Sequence, residues 1–260
     1  MLAGAMILSF VGCNNAAPIE TEEKPDAKQT LVMATNAEFP PFEFVTEAGK
    51  GIVDKYDGID VVVAKEIAEK MGKKLEISNM VFDSIIPALI SGKADIAVAG
   101  MSINEERLKN VDFSDPYWSA IQTIVVKQDN EDITKVDDLK GKTVGVVTGY
   151  TGDLAISEIE GVEVKRYIKG VDIVLDVKNG KIDAGVIDSP TAGNFIKKNP
   201  EIKGVEDKEF FETEEYAIAV KKGDAETLKV VNQVIAEMKS SGKIEEIAAQ
   251  VDARLAGAEQ

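Results

Sequence analysis

The chain has 260 residues, enough for one large domain or two small ones around a substantial core. At 44% hydrophobic and 29% charged it has an ordinary globular composition. A net charge of −16, with no cluster of lysine or arginine, argues against a nucleic-acid partner. Histidine is absent, which removes the commonest general base and the commonest zinc and iron ligand. The single cysteine excludes an intrachain disulfide and any Cys-rich metal site, so neither metal nor cofactor is expected.

The first thirteen residues, MLAGAMILSFVGC, are uncharged and nearly all apolar, yet too short to span a bilayer as a helix. A run of this kind ending in a small residue and Cys13 resembles the signal peptide of a bacterial lipoprotein. That resemblance implies a lipidated Cys13 anchoring the mature chain to the membrane surface. Phe10, three residues before the cysteine, and the lack of a basic residue ahead of the run depart from the pattern. Residues 14–29 are polar, proline-containing and without periodicity, a flexible linker. Residues 1–13 are set aside from the fold.

From residue 30 the pattern is one of strands alternating with amphipathic helices. Residues 31–35 form a short apolar strand. Val63, Ile67 and Met71 recur at helical spacing and stop at Gly72. Residues 75–78 are strand-like, and Asp83 is the expected N-cap of a helix that tolerates Pro87 near its first turn. Residues 94–100 are apolar on both faces, as a buried parallel strand requires. Arg107 follows in a short helix, then an aromatic-rich segment that fits neither period, then a strand at 121–127. A second series follows: strands at 143–147, 162–167, 182–188 and 216–220, with helices between the first four. Two closing helices carry Leu228, Val231, Ile235 and Met238, then Ile244, Ile247, Ala248 and Val251, at core-facing spacing. The alternation predicts an α/β fold with parallel sheets.

The two series read as two lobes, and the similar runs SGKADIAVAG and NGKIDAGVID support a shared construction. With no Pro- or Gly-rich linker between them, 121–127 and 216–220 are the expected crossovers. Lobe 1 is then discontinuous, 30–121 and 217–260, and lobe 2 spans 122–216 with the hinge strands.

Ligands of open parallel sheets bind beyond the carboxyl ends of the strands. The segments at those ends carry a coherent chemistry. Arg107 offers a fork for a carboxylate, and Ser102 and Thr151 offer hydroxyls. Asp188 offers a partner for a cation, and Phe39 and Phe82 offer flat apolar walls. Together they suit the α-carboxylate and α-ammonium of an amino acid. Each residue also has a plain reading: Arg107 as a surface ion-pair partner of Asp112 or Glu105, Asp188 and Thr151 as helix caps, Ser102 as helix-start chemistry, Phe39 and Phe82 as core.

The runs NAEFPPFEF, YDGIDVVVAKEIAEKMG, FDSIIPALISGKADIAVAGMSINEERLKNVDFSDPYW, DLKGKTVGVVTGYTGD, GKIDAGVID and YAIAVKKGD, in that order, resemble extracellular solute-binding proteins of polar amino-acid ABC transporters, over about residues 30 to 250. The resemblance implies a type II periplasmic-binding-protein fold, two α/β lobes joined by two hinge strands, closing on an amino acid and delivering it to a membrane permease. It also implies a monomer outside the cell or in the periplasm. Arg107 and Ser102 match carboxylate-binding positions, Gly100 a backbone contact, Thr151 the second-lobe carboxylate contact, and Asp188 the acid on the ammonium. Phe39 and Phe82 match the aromatic sandwich.

Departures fall where specificity is set. Asn36 stands where basic-amino-acid and glutamine binders have aspartate, with Glu38 as a substitute charge. Tyr150 and Gly152 flank Thr151, and Met101 and Ile187 are apolar neighbours, which points to a polar uncharged or partly apolar side chain. Arginine, glutamine, cystine and histidine are left unranked. Two other outcomes of the same fold are a dehydratase-like enzyme with Glu38 as its proton-transfer carboxylate and a ligand-sensing ectodomain. A structural adhesin is disfavoured by the intact zwitterion clamp.

Overall fold

A computed structural model of the chain describes residues 29–257. The signal segment, Cys13 and nearly all of the 14–29 linker lie outside the described residues.

Two five-stranded sheets organise the molecule. In the first, the order is Lys74–Asn79, Thr30–Thr35, Ile96–Ala97, Ala219–Lys221, Val111–Phe113. In the second it is Glu163–Tyr167, Thr143–Val147, Ala184–Asp188, Gln122–Lys127, Ile202–Val205. The first three strands of each sheet are parallel. The expectation of parallel sheets throughout is corrected at one strand in each: Ala219–Lys221 and Gln122–Lys127 run antiparallel to both neighbours. Both strands arrive from the opposite lobe, so no βαβ crossover helix fixes their direction.

The chain passes between lobes through a two-stranded ribbon, Trp118–Ala120 against Glu214–Tyr216. The crossovers expected at 121–127 and 216–220 therefore split. The stretch 122–127 lies inside the second sheet, and 219–221 inside the first. The break at Ala217 and Ile218 lets one apolar run serve both ribbon and sheet.

Other local differences have simple causes. Phe82–Ser84 forms a 3-10 turn and the helix proper is Ile85–Ile90, so Asp83 is not its cap. The aromatic segment contains the strands Val111–Phe113 and Trp118–Ala120, each too short to display a period of two. Glu38–Phe39, Glu43–Val45 and Tyr56–Asp57 form a small antiparallel sheet that local pattern does not announce.

Packing follows the alternation of side chains along the strands. In the second lobe Ile124, Val126, Val144 and Val146 face a core shared with Ile156, while Val125 turns to Ile173, Val174 and Val177. In the first lobe the closing helices, Ala225–Ser240 and Lys243–Gly257, bring Val231, Ile235, Ile247 and Val251 onto Leu31, Met33 and Ile67. Arg254 fastens the last helix with a bidentate pair to Asp57, Nε to Oδ2 at 2.9 Å and Nη2 to Oδ1 at 2.8 Å. Asp57 is almost wholly buried, and its Oδ1 also accepts from the Gly58 amide. Arg254→Ala should therefore cost about 1–3 kcal/mol through the orphaned carboxylate. Thermal denaturation should show a Tm lower by several degrees, and an unchanged Tm would mean the pair contributes nothing.

Candidate ligand-binding cleft

The functional side chains meet where the carboxyl ends of both parallel sheets approach each other across the ribbon. Arg107 lies in the one-turn helix Glu105–Leu108, whose N-cap Asn104 accepts from the Arg107 amide at 2.8 Å. The residue is 7% exposed. Nη1 donates to the Ser102 carbonyl at 2.6 Å, and Nη2 crosses to the Gly149 carbonyl of the second lobe at 3.1 Å. The face of the group lies 5.1 Å from the Phe82 ring centroid. Asp112 pairs instead with Lys222, so the surface-pair reading through Asp112 fails. Burial pulls the Arg107 pKa down, opposed first by the charge of Glu214 and then by that of Asp188.

Asp188 ends the strand Ala184–Asp188 and is buried. Its Oδ2 accepts from the Tyr216 hydroxyl at 2.6 Å, while its Oδ1 is buried without a hydrogen-bond partner among the described residues. It makes no side-chain cap to the following helix, so capping does not account for it. Burial, and then the Glu214 charge, push its pKa up to about 7.

Ser102 and Thr151 converge from opposite lobes, but both hydroxyls donate to one oxygen of Glu214, at 2.5 and 2.6 Å. The second Glu214 oxygen accepts from Gln122 Nε2 at 3.1 Å, which also donates to Thr151. Gln122 takes the space that a side chain at Gly152 would need.

The aromatic residues form a second group. Tyr150 reaches from the second lobe to stand between Phe39 and Phe82, with centroid separations of 5.5 and 4.5 Å. Its hydroxyl donates to Asn36 Oδ1 at 3.1 Å, and Asn36 Nδ2 donates to the Met80 carbonyl at 3.0 Å. Phe39 packs against Gly100, which sits at φ +50; a Cβ there would lie 2.6 Å from the Phe39 ring. The Gly100 amide donates to Asp60 Oδ2 at 2.8 Å, leaving the carbonyl as the group this turn can offer. Asp60 also accepts from the Tyr117 hydroxyl at 2.7 Å. Burial, then the neighbouring Asp60 charge, raise the pKa of Glu43 well above the usual carboxylate range.

Two expected site residues differ in placement. Met101 is fully buried in the first-lobe core with Ile85 and Val111, and it lines a cavity together with Phe82, Arg107 and Gly149. Glu38 forms an ion pair with Lys169 of the other lobe at 2.7 Å, at the rim. Sequence reading missed Glu214, Gln122, Tyr216 and Asp60. The i, i+2 spacing of Glu214 and Tyr216 puts them on one face of a strand, and that signal is available at the crossover.

A family model, that of the bacterial extracellular solute-binding proteins, family 3, matches residues 31–251, and the chain belongs to that family. It is 36% identical over 231 residues to a probable histidine-binding protein of Neisseria gonorrhoeae, covering 86% of this chain and 84% of the relative. It is 32% identical over 252 residues to the arginine-binding extracellular protein ArtP of Bacillus subtilis, covering 95% and 94%. Among solved structures, an ancestral arginine-binding protein bound to arginine is 42% identical with a TM-score of 0.77, covering 86% of this chain and 98% of that one. The fold is the type II periplasmic-binding fold of amino-acid-binding proteins, and members of the family are extracellular or periplasmic.

The raised Asp188 pKa has a consequence for the ligand-free protein. A carboxyl that holds its proton more tightly when folded contributes stability below its unfolded pKa and loses it as pH rises to about 7. Asp188→Asn should therefore raise the ligand-free Tm at pH 8 and flatten the decline in Tm between pH 5 and pH 8. Parallel pH curves for the two proteins would show that Asp188 is ionised without penalty.

Proposed function

We propose that the chain binds an extracellular amino acid between its lobes, through Arg107 on one side and Asp188 on the other, and delivers it to the permease of an ABC transporter. One observation carries the reading. Two buried opposite charges come from opposite lobes, and neither is neutralised directly: the guanidinium has only carbonyl partners, and one carboxylate oxygen of Asp188 has none. A zwitterion completes both, its carboxylate on Arg107 and its ammonium on Asp188 and the Gly100 carbonyl. Binding without turnover fits, because Glu38, the sequence's nominee for proton transfer, is held by Lys169. Attachment to the membrane through Cys13, and action as a monomer, belong to the same proposal.

The ligand class we propose is a cationic amino acid, with arginine first, in place of the polar uncharged or partly apolar side chain that the sequence suggested. Asn36 carries no charge, yet its amide group is committed to the Met80 carbonyl, so its Oδ1 is the atom turned toward the aromatic group. An acceptor at that place suits a donor-rich end such as a guanidinium. Phe39, Phe82 and Tyr150 suit a flat cation. The carboxylates of Asp188 and Glu214 outnumber the Arg107 charge in this part of the cleft. Relatives named as arginine-binding and histidine-binding support the same direction.

Calorimetry with arginine, histidine, glutamine and cystine tests the proposal. Arginine should bind most tightly, in the micromolar range or better, about −8 kcal/mol. Arg107→Ala and Asp188→Ala should each cost about 2–5 kcal/mol, a loss of at least thirtyfold. Either variant within a few-fold of the parent would overturn the assignment. Affinity should also weaken as pH falls below about 7, where Asp188 takes up a proton. In the producing cell, a Cys13→Ser variant should leave the membrane fraction; retention there would remove the lipid anchor from the reading.

A further inference from the structure

Glu214 has no role in the zwitterion clamp, yet it is the point where the lobes meet. It lies on Glu214–Tyr216, the returning strand of the ribbon, and belongs to neither sheet. Its Oε2 accepts the hydroxyl of Ser102 from the first lobe at 2.5 Å and that of Thr151 from the second at 2.6 Å. Its Oε1 accepts from Gln122, at the first residue of the strand that enters the second sheet. Three donors from both sides thus converge on one carboxylate. A hydroxyl has a single proton to give, so the protons of Ser102 and Thr151 are both committed to Glu214.

We propose that Glu214 is a positioning residue for closure, a latch whose carboxylate ties Ser102 to Thr151 and holds the lobes together around the ligand. The inference rests on the binding reading above and assigns a further residue to it. The other contacts between lobes are of a different kind. Glu38 with Lys169, and Lys197 with Asp252, are rim pairs of the sort that contribute little in water. Arg107 with Gly149, and Tyr150 with Asn36, are single hydrogen bonds from groups that face the ligand's place. Glu214 gathers a charge-assisted bond from each lobe onto the same oxygen, and separation of the lobes breaks at least one of them.

Two consequences follow from this geometry. The fraction of ligand-free molecules that are closed divides directly into the apparent dissociation constant, so the latch tightens binding without touching the ligand. With both protons on Glu214, neither hydroxyl has one to give a ligand carboxylate, which leaves that group to Arg107. The Glu214 charge also faces Asp188, together with Tyr216 and Arg107.

Small-angle scattering of the ligand-free full chain, and calorimetry with arginine, test the latch. Glu214→Ala should enlarge the ligand-free radius of gyration and weaken arginine binding by about tenfold, within the usual range of coupling between a conformational change and binding. In a double-mutant cycle, adding Thr151→Ala to Glu214→Ala should cost less than Thr151→Ala alone. Glu214→Gln keeps size and an acceptor but removes the charge. It should move the midpoint of the pH–affinity curve to lower pH, which loss of packing alone would not do. An unchanged radius with an unchanged dissociation constant in Glu214→Ala would overturn the proposal. So would tighter binding, which would make Glu214 a competitor of the ligand carboxylate. If the parent chain binds no amino acid, the functional proposal fails, while the scattering comparison still decides whether Glu214 latches the lobes.

Discussion

A guanidinium and a carboxylate withdrawn from water, one in each lobe and neither directly neutralised, set the constraint from which the rest of the cleft follows. Burying a charge without a counter-charge is expensive, and a protein tolerates it where a ligand or a network supplies the remainder. At Arg107 the remainder is partial: two carbonyls and an aromatic face hold the group in place, and the charges of Glu214 and Asp188 act on it without a direct bond. At Asp188 the tyrosine hydroxyl satisfies one oxygen and the other stays open. The same desolvation that disfavours the empty site strengthens whatever completes it, which is how a small guest can draw two lobes together.

The architecture explains why these two charges come from far apart in the chain. Each sheet ends its parallel strands toward the cleft, and each accepts one reversed strand from the other lobe through the ribbon of Trp118–Ala120 and Glu214–Tyr216. The ribbon is therefore both hinge and floor. Tyr216 reaches Asp188 from it and Glu214 reaches the hydroxyls, so these groups are mounted on the element that joins the lobes. Behind the first-lobe side, Asp60 fixes the Gly100 amide while Tyr117 and Glu43 surround that carboxylate. Phe39 then closes on the space that only glycine leaves at residue 100.

In the proposed reading, specificity belongs to the aromatic half of the cleft. Tyr150 stands between Phe39 and Phe82 and touches Asn36, so the place suited to a ligand side chain is lined by rings and one outward-turned amide oxygen. The orientation of that amide, set by its bond to the Met80 carbonyl, presents an acceptor to the aromatic group.

The sequence by itself determined the helices, the parallel strands, the presence of two lobes, and the residue types of the clamp. Apolar periodicity and strand-end position are local properties, and the expectation that Arg107 and Asp188 face one cleft rests on them. Tertiary structure alone decided which way the exchanged strands run, that Asp83 is no cap, that Met101 lies in the core, and that Glu38 is bound at the rim. It also revealed Glu214 and its partners. The i, i+2 spacing of Glu214 and Tyr216 gives the carboxylate a face but not a partner. Its meaning comes from two hydroxyls, 112 and 63 residues away in sequence, that folding brings to the same oxygen.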